Sequence, residues 1–122
     1  MSMVASTQTC FIRIEAKLMS NVYIINDSGH NFSSANKFGK LVPLSSGKIN
    51  KFHVMDMLRD FDEVLCKSHK NDYILQNGPA IMSMVASAIF ASYHGCLNLL
   101  IWRIDEGKET YVVRRMKLKR KK

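Results

Sequence analysis

Residues Val22 to Asn31 read V-Y-I-I-N-D-S-G-H-N, an unbroken apolar half followed at once by a polar half. Val22, Tyr23, Ile24 and Ile25 are β-branched or aromatic with no polar alternation, the pattern of a strand covered on both faces. Such a strand belongs in the middle of a sheet. Asn, Asp, Ser and Gly favour turns, so the polar residues end the strand and send the chain into a crossover.

Working outward, Ser33 or Ser34 can cap one short helix through Phe38, and Gly39 can stop it. L-V-P-L at 41–44 predicts a second strand, which Pro43 pushes to an edge because proline cannot donate to a ladder. After the turn at 45–47, Asn50 can cap a helix to about Lys67, with Val54, Leu58, Phe61 and Leu65 on its buried face. Y-I-L-Q at 73–76 is a further buried strand. Gly78-Pro79 opens a second, nearly all-apolar helix, the one expected to be most buried, and Gly95 closes it. L-N-L-L-I-W at 97–102 and residues 110–113 then make two strands of a hairpin around the turn 105–108. Strands alternating with helices predict an α/β three-layer sandwich, with a mainly parallel sheet of four or five strands and a C-terminal antiparallel edge hairpin.

Upstream, Ile12, Ile14, Ala16 and Leu18 alternate with Arg13, Glu15 and Lys17, the period of a half-buried edge strand. The expected organisation is an N-terminal extension over 1–20, an α/β domain over 21–113 and a basic tail over 114–122. Met19 can serve as a second start. M-S-M-V-A-S occurs at 1–6 and again at 82–87, in contexts too different to be a structural repeat.

With 122 residues and 47% hydrophobic composition the chain can bury one core, which excludes disorder as its main state. Its formal charge of +8 is unevenly placed. R-R-M-K-L-K-R-K-K at 114–122 holds seven basic residues and no acid, leaving 11 basic against 10 acidic residues elsewhere. The body is therefore close to neutral, and any electrostatic function must come from the tail. Cys10, Cys66 and Cys96 form no C-x-x-C pair, and the N-terminus has no signal-peptide pattern. A reducing compartment, the cytoplasm or a host nucleus, is expected, with Cys66 and Cys96 as small core residues. No Asp, Glu, Lys or Arg lies between Asp72 and Arg103. The apolar piece at 80–93 nevertheless falls short of the roughly 20 residues a membrane helix needs.

In open α/β sheets, ligands bind outside the carboxyl ends of the strands. Two loops qualify. The 26–31 loop offers Asp27 as orienter, Ser28 as donor or nucleophile and His30 as base or phosphate contact, with Asn26 beside them. Gln76, Asn77 and Gly78 form a second ligand loop before a helix whose first N–H groups are free. The same residues also make ordinary turns. No phosphate-loop, dinucleotide or nucleophile-elbow motif accompanies them. His30, His53, His69 and His94 show no zinc spacing, and neither a metal nor a cofactor is expected. His94 reads as a helix C-terminal partner, Ser45 to Lys48 as a solvated turn, and Met55, Met57, Met82 and Met84 as core filler.

Arg114, Arg115, Lys117, Lys119, Arg120, Lys121 and Lys122 repel one another unless an anion is present. Nucleic acid, held by sequence-neutral phosphate contact, is the leading partner. An anionic membrane surface, nuclear import, an acidic protein patch and simple solubility are the rivals.

Residues 22–32, with A-N-K-F-G at 35–39 and H-G-C-L-N-L-L at 94–100, resemble small uncharacterised proteins encoded by bacteriophages and prophages. The resemblance spans about residues 19–104, and the N-terminal segment and basic tail depart from it. It implies an origin on a mobile element and no activity. Taken together, the sequence predicts a small non-enzymatic accessory protein whose C-terminal arm binds nucleic acid. The alternatives are a nucleotide- or phosphoester-handling enzyme at the 26–31 loop, and a structural or assembly protein that associates with itself or another protein through its apolar helix or edge strand.

Overall fold

The computed structural model of the chain describes residues 20–50 and 52–118. The alternating segment at 12–18, Cys10, Lys119, Arg120, Lys121 and Lys122 lie outside them. The described elements are β1 (Asn21–Ile24), a 3-10 helix (Ser33–Phe38), β2 (Lys40–Pro43), α1 (Val54–Leu65), β3 (Tyr73–Leu75), α2 (Ala80–His94), β4 (Cys96–Asp105) and β5 (Lys108–Lys117).

The strands form one sheet in the order β2-β1-β3-β4-β5. β1 pairs in parallel with β2 and β3, β3 pairs in parallel with β4, and β5 returns antiparallel at the edge. This is the mainly parallel α/β sheet with a C-terminal hairpin that the alternation predicted. The all-apolar run of β1 is explained by its two neighbours and two covered faces. Tyr23 and Ile25 pack with Phe61 and Leu65 of α1 and with Met82 and Phe90 of α2. Val22 and Ile24 face the other way, against Phe32 and Ala35 around the 3-10 helix, and Leu100 and Tyr111 join them. Phe61 and Phe90 are almost completely buried, each contributing roughly 2–3 kcal/mol of transfer free energy.

Several boundaries differ from the sequence expectation, for local reasons. Neither Ser33 nor Ser34 caps the 3-10 helix; the Asn31 side chain accepts from the Ser33 N–H at 2.9 Å instead. Asn50 forms a turn with the Phe52 and His53 N–H groups, which delays α1 to Val54. That helix seats Met57, Phe61 and Leu65, while Val54 and Leu58 are 37% and 39% exposed at its flank. Of the two expected in the core, Cys66 is exposed just past the helix end and Cys96 is buried. Met57 and Met82 fill core positions, whereas Met55 and Met84 lie open to solvent. β5 runs past Val113 to Lys117, so Arg114, Arg115 and Lys117 are strand residues paired with β4.

α2 behaves as its punctuation predicts, with Pro79 extended before it and Gly95 in the left-handed conformation at φ 68° after it. The helix buries Met82, Val85, Ala86, Ile89 and Phe90, more side chains than α1 does. Among the described residues no helix is long and apolar enough to cross a membrane.

Candidate functional site

The strand order reverses direction between β1 and β3, so the crevice at their carboxyl ends is where a doubly wound sheet offers a ligand site. The two loops singled out from the sequence do meet there. The Asn77 Oδ1 accepts from the Ile25 N–H at 3.1 Å and the Asn26 N–H at 3.4 Å, and its Nδ2 donates to the Asn26 carbonyl at 2.7 Å. Asn26 in turn donates to the Gly47 carbonyl at 3.0 Å, while the Ser45 hydroxyl lies 2.8 Å from the Ile25 carbonyl and 3.1 Å from Asn26 Oδ1. Gly78, at φ 77°, brings its backbone beside Asn26; a Cβ there would lie 3.6 Å from the Asn26 Cβ. The crevice is thus laced shut by its own amides. Asn26 and Asn77 replace the missing sheet hydrogen bonds beyond β1, and Gln76 continues the ladder through its N–H to the Leu100 carbonyl.

Asp27, Ser28 and His30 lie outside this lacing, all exposed. The main chain of Asp27 pairs with Ser45 and Gly47, and its carboxylate accepts from the Gly29 N–H at 3.3 Å. His30 sets its ring edge-on to Phe32 at 6.2 Å. Among the described residues no hydrogen bond joins Asp27, Ser28 and His30 to one another, so the geometry builds a turn and no nucleophile–base pair.

Beside this crevice, a cleft of about 430 Å³ opens between the end of β2 and α1, with Ser45, Ser46, Asn50 and His53 on its walls. Asp56 and Asp60 also line it, and two carboxylates oppose a phosphate. His53 Nδ1 faces the Asp56 carboxylate at 3.8 Å. No group of three or more metal-ligating side chains occurs among the described residues.

A serine and a histidine far apart in sequence do meet at the opposite end of the sheet. Ser68 Oγ lies 2.7 Å from His94 Nε2 and also donates to the Leu65 carbonyl. Ser68 is only 2% exposed, and the His94 ring packs on Phe90 at 4.5 Å. The pair ties the end of α2 to the end of α1. With the hydroxyl buried and engaged by both the Leu65 carbonyl and His94, the arrangement fits a structural clamp.

The basic residues occupy a different surface. Among the described residues the β3–β4 ladder pairs only Leu99 and Leu100 of β4, so from Ile101 onward β4 pairs with β5 alone, as a two-stranded ribbon whose Tyr111 still packs against the Val22, Ile24 and Phe32 cluster. At its base, β5 is the sheet edge and carries Arg114, Arg115 and Lys117, all exposed. None of the three has an ion-pair partner among the described residues. Register splits them between faces. Arg114 lies opposite Leu99 on the α1–α2 side, whereas Arg115 and Lys117 lie opposite Asn98 and Cys96 on the side of the 3-10 helix. Charges on an edge strand also deter edge-to-edge pairing, a role that needs no ligand. Trp102, opposite Tyr111, shares the face of Arg115 and Lys117. Only cross-strand register, which sequence periodicity does not carry, puts this residue of β4 on the face of the β5 charges.

Two tyrosines carry displaced ionisations. The hydrogen bond from the Tyr93 hydroxyl to Asp62 raises its pKa above the ordinary 10.0, and burial raises that of Tyr111. A raised folded-state value favours the neutral phenol, so its contribution is intact below about pH 10 and lost as pH rises through the folded value. Alkaline titration followed by tyrosinate absorbance is expected to show late components that Tyr93→Phe and Tyr111→Phe each remove. An unchanged late part of the titration curve in both variants would contradict this.

Over residues 20–118 the sequence matches a family model described as Phage Pam3 gp32-like protein, which bears out the resemblance to phage-encoded proteins. No curated protein and no solved structure matches the chain.

Proposed function

We propose that the chain, which belongs to the phage Pam3 gp32-like protein family, is a non-enzymatic accessory protein that binds nucleic acid through phosphate contacts of its basic C-terminal residues. The observation that carries the reading is the exposed, acid-free end of β5, where Arg114, Arg115 and Lys117 stand without ion-pair partners among the described residues. Lys119, Arg120, Lys121 and Lys122 follow them directly in sequence. A cation row with no internal counter-charge gains most from a polyanion, because each phosphate contact releases a condensed counterion. The sheet supports the first three cations on a paired strand, which lowers the entropy lost on binding.

The test is a salt titration of binding to labelled single- and double-stranded nucleic acid. If all seven cations contact phosphates, affinity is expected to fall by about three to four decades between 50 and 200 mM salt. A chain ended after Leu118 keeps β5 whole and should retain the shallower part of that slope. Ending it at Val113 would instead cut a paired strand. Replacing Arg114, Arg115 and Lys117 by Gln should lower the slope by about 2–3. Equal, weak, salt-insensitive binding by every version would leave the cations as a solubility or targeting device.

One observation favours assembly with protein as a second reading. Ile104, Met116 and Leu118 on the hairpin are 68%, 44% and 48% exposed, more apolar surface than a solitary ribbon needs. Sedimentation velocity over a wide concentration range tests it, and a monomer throughout would remove self-association.

A further inference from the structure

We propose that the Trp102 face of the β4–β5 hairpin is a base-stacking platform that directs the chain to single-stranded nucleic acid. The proposal rests on the nucleic-acid reading above and adds the class of strand. Trp102 is the only tryptophan of the chain and stays 41% exposed although it sits across from the buried Tyr111. The two rings stand 4.7 Å apart at 63°, so Tyr111 props the indole at an angle and does not cover it. A partly open indole with an aromatic neighbour at its side offers a face on which a planar ring can stack.

Register supplies the rest. Residues facing each other across an antiparallel pair point the same way, so Trp102, Tyr111, Val113, Arg115 and Lys117 share one face. Arg115 lies four residues along β5 from Tyr111, about 14 Å at the usual rise. The face therefore presents an aromatic surface at one end and two cations at the other, aligned along a strand. Glu109 near the hairpin tip is the one carboxylate of β5 on this side. Cations that track a backbone and an aromatic side chain on which a base stacks are the two components of single-strand binding. A duplex keeps its bases stacked inside and can use only the cations.

The chain's own tryptophan reports the outcome without any substitution. The full chain is titrated with oligothymidylate and with the duplex that oligothymidylate forms with oligodeoxyadenylate, reading indole fluorescence and the anisotropy of labelled strands together. The expected result is preferential binding of the single strand with quenching of the indole, and little quenching by the duplex. Trp102→Ala should weaken single-strand binding about tenfold while leaving the salt slope and duplex affinity unchanged, and Trp102→Phe should recover part of the loss. Equal binding of both forms with unaltered fluorescence would overturn the platform and leave the phosphate-contact reading standing. Absence of binding to either would overturn both. Indole quenching that depends on protein concentration alone, accompanied by oligomers in sedimentation, would assign the face to a protein contact and overturn the proposal.

Discussion

Gly39→Ala is expected to lower stability by about 4 kcal/mol or more, enough to leave much of the chain unfolded. A Cβ built at Gly39 would stand 2.0 Å from the Ser20 carbonyl oxygen and 2.6 Å from its carbon. Those atoms are backbone and cannot rotate away. The same oxygen accepts the Lys40 N–H at 2.8 Å, so moving it would also disturb the start of the β1–β2 pairing. Gly39 has φ 153°, and the left-handed cost to an L-residue adds about 1–3 kcal/mol to the overlap. Gly29→Ala is the control: Gly29 also has a positive φ, of 95°, but no atom lies within 4 Å of its Cβ position. It should lose only about 1 kcal/mol. Urea denaturation followed by circular dichroism separates the two. Equal small losses would mean that the strand entry is not pressed against Gly39.

Gly39 was legible from the sequence as the end of a short helix and illegible as a point of closest approach. The difference is general to this chain. Features written within a few residues were readable: the doubly covered β1, the Gly-Pro opening and left-handed Gly95 closing of α2, the alternation of strand and helix. What depended on a partner far along the chain was not. Met57 displaced Val54 and Leu58 from the buried face of α1 because the helix settles against β1 and α2, and its own periodicity admits either stripe. Residues 110–113 read as the returning strand of a hairpin, but β5 pairs over ten residues because β4, itself longer than expected, templates it. Asn77 was singled out as a ligand-loop residue for its position. Its function as a substitute for main-chain hydrogen bonds became visible only with Ile25 and Asn26 beside it.

The same distinction weighs on function. Proximity in sequence made Asp27, Ser28 and His30 look like a cluster, and three-dimensional placement leaves them as an exposed turn. Trp102, Arg115 and Lys117 looked unrelated and share a face. Hydrogen-bonding capacity at the β1–β3 crevice is largely taken up by Asn26 and Asn77, whereas the cations at the end of β5 have no ion-pair partner among the described residues. Unused interaction capacity, more than the presence of reactive side chains, is what directs attention to the hairpin.

Asp72→Ala is the second large effect, expected to cost about 3–5 kcal/mol. Asp72 is 4% exposed at the amino ends of the strands, opposite the crevice. Its carboxylate accepts from the Asn21 N–H at 3.0 Å, the His69 N–H at 2.8 Å and the Tyr23 hydroxyl at 3.3 Å. Its own carbonyl receives the Asn98 amide at 2.8 Å, so one residue links the starts of β1, β3 and β4. Alanine would strand all three donors. Asp72→Asn keeps the shape and one acceptor oxygen but turns an N–H toward a donor, and should cost about 1–3 kcal/mol. The order alanine worse than asparagine, read from urea denaturation, is the signature of a carboxylate acting as a multiple acceptor; equal or reversed costs would show that packing alone holds this corner. Asn98, which donates to the Asp72 carbonyl, pairs with Arg115, so this corner lies at the cation-bearing end of β5; Asp72 itself is buried, and the folded fraction of each variant should retain the salt slope of the unmodified chain. A slope that changed in parallel with stability would mean that this corner also sets the position of the neighbouring β5 cations, which then do not act alone.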